Sequence, residues 1–319
     1  MRIPGAHVFS YYLRRARYRY RQRFTEKGLV GQWHLLCAKT GAASLADPQP
    51  QTMKKIIAPP DRYWADPFVW QRDGAFFIFC EEMQFGARHG HISAVPIDGE
   101  GNVSGPAIRI LDQPYHLSYP FLFEHEGELY MLPESGFANV LNLYRCVEFP
   151  ARWERARTIF EGVQYCDSTL LEHDGRWWLF ATVRNPRRLQ LPEHDLLLFS
   201  AESPLAEHWT PHPRNAIVQD FRRARPAGRI FRHDGRLIRP SQNCGDRYGG
   251  SLNLNEIVRL NADEYDERLV REVKPDGNSR QIGLHHIDWH QGVLVMDMQR
   301  LVPASEVTYS AITVDTPPA

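Results

Sequence analysis

The sequence predicts an all-β fold, a five-bladed β-propeller over residues 31–319 preceded by a short basic N-terminal extension over residues 1–30. Three observations support it. A unit of two apolar, aromatic-rich runs joined at a turn glycine recurs at Gly74, Gly127, Gly175, Gly235 and Gly292, at intervals of 53, 48, 60 and 57 residues. These intervals lie near the roughly 40 to 50 residue period of propeller blades. Each unit reads as a β-hairpin, with the polar segments between units left to form outer strands and crossovers. Amphipathic helical patterns, which an α/β alternative needs between its strands, are few. The units also align by column. Eight residues before each glycine stand Asp66, Tyr119, Asp167, Ala227 and Leu284, and seven after it stand Glu81, Glu134, Thr182, Gln242 and Gln299. The start of each inner strand faces a propeller's central channel. These columns therefore deliver polar side chains to one cavity, where buried strands would need partners to satisfy them.

Composition agrees. The 319 residues are 43% hydrophobic and 12% aromatic, enough for the packed layers between blades. The 38 basic and 38 acidic residues cancel, so no general field points to nucleic acid, and an electrostatic partner has to be local. Cys37, Cys80, Cys146, Cys166 and Cys244 lack CxxC pairing, and their odd number, with no signal-peptide pattern, points to a reducing, cytoplasmic setting.

In chain order, residues 1–24 carry seven arginines among aromatics and no acid. Such a segment suits peripheral contact with an anionic membrane, a lipid-linked substrate, or a solvated helix on the propeller flank. Residues 31–38 read as a strand that pairs with the last blade and closes the ring. The first hairpin opens on Asp66-Pro67 and closes on Glu81-Glu82. His89 and His91 share a strand face, but no third ligand follows at suitable spacing, so neither a metal nor another cofactor is expected. His116 lies just ahead of the second inner strand, at the channel mouth. Pro133 precedes Glu134 and blocks regular ladder pairing, which favours a bulge that aims Glu134 inward. Asp167 opens the third hairpin. Residues 220–240 contain Arg222, Arg223, Arg225, Arg229, Arg232, Arg236 and Arg239, a local cluster suited to an acidic sugar or a phosphate. The fifth hairpin opens on His285-His286, of which strand alternation turns one inward, here assigned to His286.

The motifs Trp-Ala-Asp-Pro-Phe (64–68), His-Leu-Ser-Tyr-Pro-Phe (116–121), Tyr-Met-Leu-Pro-Glu (130–134) and Gly-Leu-His-His (283–286) resemble the N-terminal propeller domain of glucosamine inositolphosphorylceramide transferases and their bacterial relatives. The resemblance covers roughly 33–300. More distantly it implies kinship with the five-bladed arabinanase and β-xylosidase glycosidases, which use a base, a pKa-modulating acid and a catalytic Glu. Asp66 matches the base position. The modulator position falls at Tyr119 and the Glu position nearest Asp167, so two of three identities differ, and Glu134 is left as a source of the missing acid.

These readings converge on a carbohydrate-active enzyme, glycosidase-like or a glycosyltransferase, acting at an anomeric centre in glycan or glycolipid assembly or turnover. Two carboxylates across a pocket can protonate a leaving oxygen and activate water or an acceptor hydroxyl. Asp66 is the expected base and Asp167 or Glu134 the expected acid. His116, Tyr119, Glu81, Arg229, Gln242, His286 and Arg300 complete the expected substrate-binding set, with Arg229 on a phosphate in a transferase. The alternative is a noncatalytic glycan-binding propeller.

Overall fold

The computed structural model describes residues 20–183, 195–275 and 280–309, with Leu13, Ala16 and Arg17. The loop at 184–193 and most arginines of the basic extension lie outside the described residues. Five antiparallel sheets form the blades of a five-bladed β-propeller. Blade 1 runs Arg62–Arg72, Ala75–Gln84, His91–Ile97 and Ile108–Leu111; blade 2 runs Ser118–His125, Glu128–Glu134, Val140–Glu148 and Arg152–Glu161. Blade 3 runs Tyr165–His173, Arg176–Val183 and Asp195–Ala201, with the short strands Thr210–Pro211 and Val218–Gln219 on its outer edge. Blade 4 runs Phe231–His233, Arg236–Asn243, Ser251–Leu260 and Tyr265–Val273.

Blade 5 is built from both ends of the chain. Leu29–Lys39 pairs along its whole length with Val293–Pro303, from Leu29 opposite Pro303 to Lys39 opposite Val293. Lys54–Ile56 lies outside this pair, and Gln281–Gly283 and Ile287–His290 lie inside it. The expected strand at 31–38 thus closes the ring, which ties the two chain ends into one ladder.

The five inner hairpins turn where the glycines predicted. Asp73-Gly74, Glu126-Gly127, Asp174-Gly175, Asp234-Gly235 and Gln291-Gly292 all have positive φ at both positions. That is the type I′ turn, whose twist matches the flanking strands and which glycine enters without steric cost. Four apolar clusters fill the spaces between blades. Phe79, Phe121, Leu132 and Leu179 belong to one that runs through blades 1 to 3. Phe180, Leu196 and Ile257 join blades 3 and 4, Leu254 and Met296 join 4 and 5, and Leu35, Val69 and Val295 join 5 and 1. Each fully buried side chain of this size stabilises the ring by roughly 1.5–3 kcal/mol.

Blades 4 and 5 have short inner strands for a visible reason. The Ile287 amide donates to the Ala227 carbonyl at 3.0 Å, so the segment entering blade 4, which meets its own ladder at Pro226 opposite Ser241, turns to bond to blade 5 as well. Gly228 sits there at φ 123°, and a Cβ would meet the Ile287 carbonyl oxygen at 1.8 Å, so only glycine fits. The arginines of 220–240 do not form one patch. Arg222 pairs with Asp220, Arg225 with Asp167, Arg229 with Asp288, Arg236 with Asp234 and Glu256, and Arg239 with Glu267, which spreads them over separate blade contacts. Of the N-terminal arginines, Arg17 pairs with the Asp246 carboxylate and Arg21 donates to the Asp246 carbonyl. Among the described residues no helix is long and apolar enough to cross a membrane.

Candidate functional site

Three inner strands begin with the same distortion. Asp66, Tyr119 and Asp167 have φ of 52°, 46° and 50°, a left-handed conformation that costs a non-glycine residue energy. At each one the ladder skips, from Ala65 to Phe68, from Ser118 to Phe121 and from Cys166 to Thr169. The column found by counting back from the turn glycines is therefore a column of β-bulges, which re-aim a side chain out of the pleat and into the channel. Pro67 and Pro120 occupy bulge positions where the missing N–H costs no ladder bond.

Asp66 is 3% exposed, and its Oδ1 has no hydrogen-bond partner among the described residues. It lies 3.8 Å from His285 Nε2 and 3.7 Å from His286 Nδ1, between two imidazoles and bonded to neither. Its own amide donates to Asp297 Oδ2 at 3.0 Å. His285 Nδ1 is 2.6 Å from that same Asp297 oxygen, and the amides of His285 and His286 both donate to the other oxygen at 3.0 Å. Strand alternation does not hold here, because 284–286 is not a strand; Asp297 draws in both backbone amides, and both histidines are buried. His285 and Asp297 were absent from the sequence-derived site. The spacing of His285 and Asp297 offers no motif, so only the adjacency of two histidines points to this pair in the sequence.

The electrostatics follow from burial. Burial pushes the Asp66 carboxyl up to about 7, with His285 opposing and Asp167 adding to the rise. Burial and the Asp66 charge push Glu81 up to about 8. Glu81 has modest support: the Tyr63 hydroxyl donates to it at 3.2 Å and His116 Nε2 lies 3.6 Å away. His116 Nδ1 accepts the Gly90 amide at 2.9 Å, which leaves the ring proton on Nε2, facing Glu81. Burial, with Arg225 nearby, lowers His116 to about 4 and keeps it neutral. Burial would lower His285 too, but Asp297, with Asp66 and Asp167 adding to it, raises the imidazole to about 9. His286, buried without such a partner, falls to about 3.

The expected acids Asp167 and Glu134 are placed differently. Arg225 Nε and Nη2 donate to the two oxygens of Asp167 at 2.5 and 3.3 Å, and Gln242 Nε2 adds a third bond at 2.9 Å. Glu134 Oε2 accepts the Asp167 amide at 3.1 Å and Arg225 Nη2 at 3.4 Å. Both carboxyls are thus engaged with one guanidinium, and burial, the largest influence, raises the Asp167 carboxyl well above its ordinary value against the pull of Arg225. Much of the polar column after the glycines is satisfied between blades in this way: Thr182 donates to the Ala224 carbonyl, as Glu134 and Gln242 reach Asp167. Tyr119 shares a hydrogen bond with Thr169 at 2.7 Å and accepts the Gly228 amide at 2.8 Å, which makes it a brace across the channel.

Arg229 and Arg300 stand outside the cluster. Arg229 donates to Asp288 and the Leu122 carbonyl and covers Phe121, while its Nη2 is buried without a hydrogen-bond partner among the described residues. Arg300 donates to Gln32, which bridges to Arg62 and Pro59 between blades 5 and 1. His91 faces Glu82, itself bound by Arg62 and Trp64, and His89 faces Asp112. Asp66, His285 and Asp297 have ligand atoms within 4.8 Å of one another, a grouping of metal-site size. All five cysteines are buried and free.

The family described as "Glucosamine inositolphosphorylceramide transferase 1, N-terminal" matches residues 30–301. Glucosamine inositolphosphorylceramide transferase 1 of Oryza sativa subsp. japonica is 33% identical over 261 residues, covering 78% of this chain and 34% of that protein. The Arabidopsis thaliana protein of the same name is 34% identical over 239 residues, covering 73% of this chain and 31% of that one. The chain spans about a third of the length of these curated relatives. Among solved structures, the catalytic domain of a Coprinopsis cinerea family 62 α-L-arabinofuranosidase superposes with a TM-score of 0.57 at 13% identity, over 84% of this chain and 97% of that one. A β-xylosidase superposes with a TM-score of 0.53 at 12% identity, over 75% and 84%. These two likenesses concern the fold.

Proposed function

Because this chain belongs to the family of glucosamine inositolphosphorylceramide transferase 1 N-terminal domains, we propose that it is a carbohydrate-active protein that works at an anomeric centre, with Asp66 and Glu81 as its acid–base pair. The observation that carries this reading is the buried Asp66 Oδ1, left without a hydrogen bond between two imidazoles at the start of a strained strand. A buried, unpaired carboxyl oxygen costs stability, and such costs are kept where a group has chemistry to do.

The roles follow from the two environments. Glu81, raised to about 8, holds its proton at neutral pH and can donate it to a leaving oxygen. Asp66, raised to about 7, is partly ionised there and can take a proton from an acceptor hydroxyl or water. His285, held charged by Asp297, stabilises Asp66 in its ionised form. Glu81 replaces Asp167 and Glu134 as the acid in this reading, since Arg225 occupies both of those. A glycosyl transfer in glycolipid assembly, as the relatives' names describe, and a hydrolysis differ only in the acceptor that reaches Asp66.

The second reading, a sugar-binding propeller without turnover, draws on one observation: Asp167 is fully committed to Arg225 and Gln242. The deciding experiment assays transfer and hydrolysis of glucosaminyl, xylosyl and arabinosyl donors by the parent, Asp66→Asn and Glu81→Gln proteins. Loss of turnover in both variants with sugar binding retained supports catalysis. Sugar binding by a parent that turns over none of these donors supports the binding module.

A further inference from the structure

Two exposed aromatic rings flank the site, each resting on one of its histidines. Phe137 is 56% exposed and packs edge-to-face on His116 at 5.5 Å, and His116 faces Glu81. Tyr248 is 46% exposed and packs edge-to-face on His285 at 5.5 Å, and His285 faces Asp66. The arrangement is repeated: carboxyl, histidine, exposed ring, once from blades 1 and 2 and once from blades 1, 5 and 4. Among the described residues, Tyr20 and Tyr309 are exposed aromatic rings as well.

Neither ring is exposed through looseness. Phe137 sits in the helical turn Gly136–Ala138, where the Ser135 hydroxyl bonds the Val140 carbonyl and Asn139 is left-handed. A Cβ on Gly136 would meet the Tyr165 carbonyl at 2.8 Å, so the turn is pressed against blade 3. Tyr248 lies on a loop tied from outside by Arg247 to Glu26 and by Arg21 to the Asp246 carbonyl. From inside, Arg225 lies 5.2 Å from its ring centre, and a Cβ on Gly249 would meet His285 at 2.8 Å. Holding apolar rings rigidly in water forgoes the stabilisation of burying them, which marks a surface kept for a ligand.

We propose that Phe137 and Tyr248 are the two walls of a subsite that grips a sugar ring over Asp66 and Glu81. The chemistry selects a sugar. The faces of a pyranose carry C–H groups that pack on aromatic rings, and its edge carries hydroxyls that meet the carboxyl and imidazole floor. A nucleotide base would stack equally well, but its phosphates would face Asp66 and Glu81, while Arg225 is committed to Asp167 and Glu134 and Arg247 to Glu26. This inference rests on the carbohydrate reading above and names the residues that orient the ring.

The test is saturation-transfer NMR on the full chain with glucosamine, xylose, arabinose and myo-inositol as probes, and uridine monophosphate as the stacking control. The subsite predicts transfer to the ring C–H groups of at least one sugar, weakened tenfold or more by Phe137→Ala and by Tyr248→Ala. Tyr248→Phe and Phe137→Trp, which keep a ring, retain binding within about threefold. Alanine variants that bind a sugar as the parent does, or a preference for uridine monophosphate, overturn the subsite and leave the carbohydrate reading standing. A parent that binds no sugar overturns both.

Discussion

His285 Nδ1 lies 2.6 Å from Asp297 Oδ2, and this contact organises the whole end of the channel. The same carboxylate receives the amides of Asp66, His285 and His286, so one side chain sets the position of the expected base and of both histidines. It is 0% exposed, and the His285 charge holds it below the usual carboxylate range despite burial. His285 also stacks on Trp33 at 3.9 Å, which ties the pair to the strand that closes the ring.

Asp297→Asn is expected to collapse the His285 titration. The imidazole is raised to about 9 against its burial by Asp297, with Asp66 and Asp167 adding to the rise; with a neutral amide in place of Asp297 the largest raising influence is gone and the pKa falls. Histidine NMR across pH 5 to 10 measures this directly. A His285 resonance that still titrates near 9 in the variant would assign the charge to another partner.

Asp66→Asn and Glu81→Gln are each expected to lower turnover by roughly 10² to 10⁴, the usual contribution of positioned proton transfer. The rate in the parent should fall as pH rises through about 8, where Glu81 loses the proton it donates. Melting temperature should hold or rise in both variants, because each removes a buried group that burial disfavours in its charged form. Variants that retain activity and melt early would return these residues to the scaffold.

Stability should peak near pH 6.5. Asp66, Glu81 and His285 bind protons more tightly when folded, so the stability they contribute is full below their ordinary values and is lost as pH rises from there to about 7, 8 and 9 respectively; below pH 6.5 the histidines that burial lowers outnumber the two carboxyls and reverse the slope. His34, His116 and His286 are lowered to about 4, 4 and 3, so stability also falls as pH drops below 6.5 toward those values. Urea midpoints from pH 4 to 9 check the dome, and the Asp66→Asn, Glu81→Gln double variant should flatten its alkaline limb. An alkaline limb unchanged in that variant contradicts the assignment.

Arg225→Met is expected to destabilise the protein by about 3–5 kcal/mol, the cost of leaving a buried charge without its partner. Two carboxyls depend on this guanidinium, and both are buried. Adding Asp167→Asn and Glu134→Gln should restore much of the loss, since the remaining groups are neutral. Chemical denaturation of the single and triple variants measures both steps, and equal stability of the two would show that the pair is not the cause.

The sequence by itself determined the blade register, because that information is local. A type I′ turn demands positive φ at two adjacent positions, glycine supplies the second, and five such glycines mark the same point of five blades. Counting from them located Asp66, Tyr119 and Asp167 in one column, and the apolar run at 31–38 read as the strand that closes the ring. What only the tertiary structure decided is which polar groups are free and which are paired. Arg225 meets Asp167 across 58 residues, and Arg229 meets Asp288 across 59. No periodicity encodes these contacts. They arise where separate blades converge on one axis, and there burial and pairing, not residue type, separate Asp66 and Glu81 from Asp167 and Glu134.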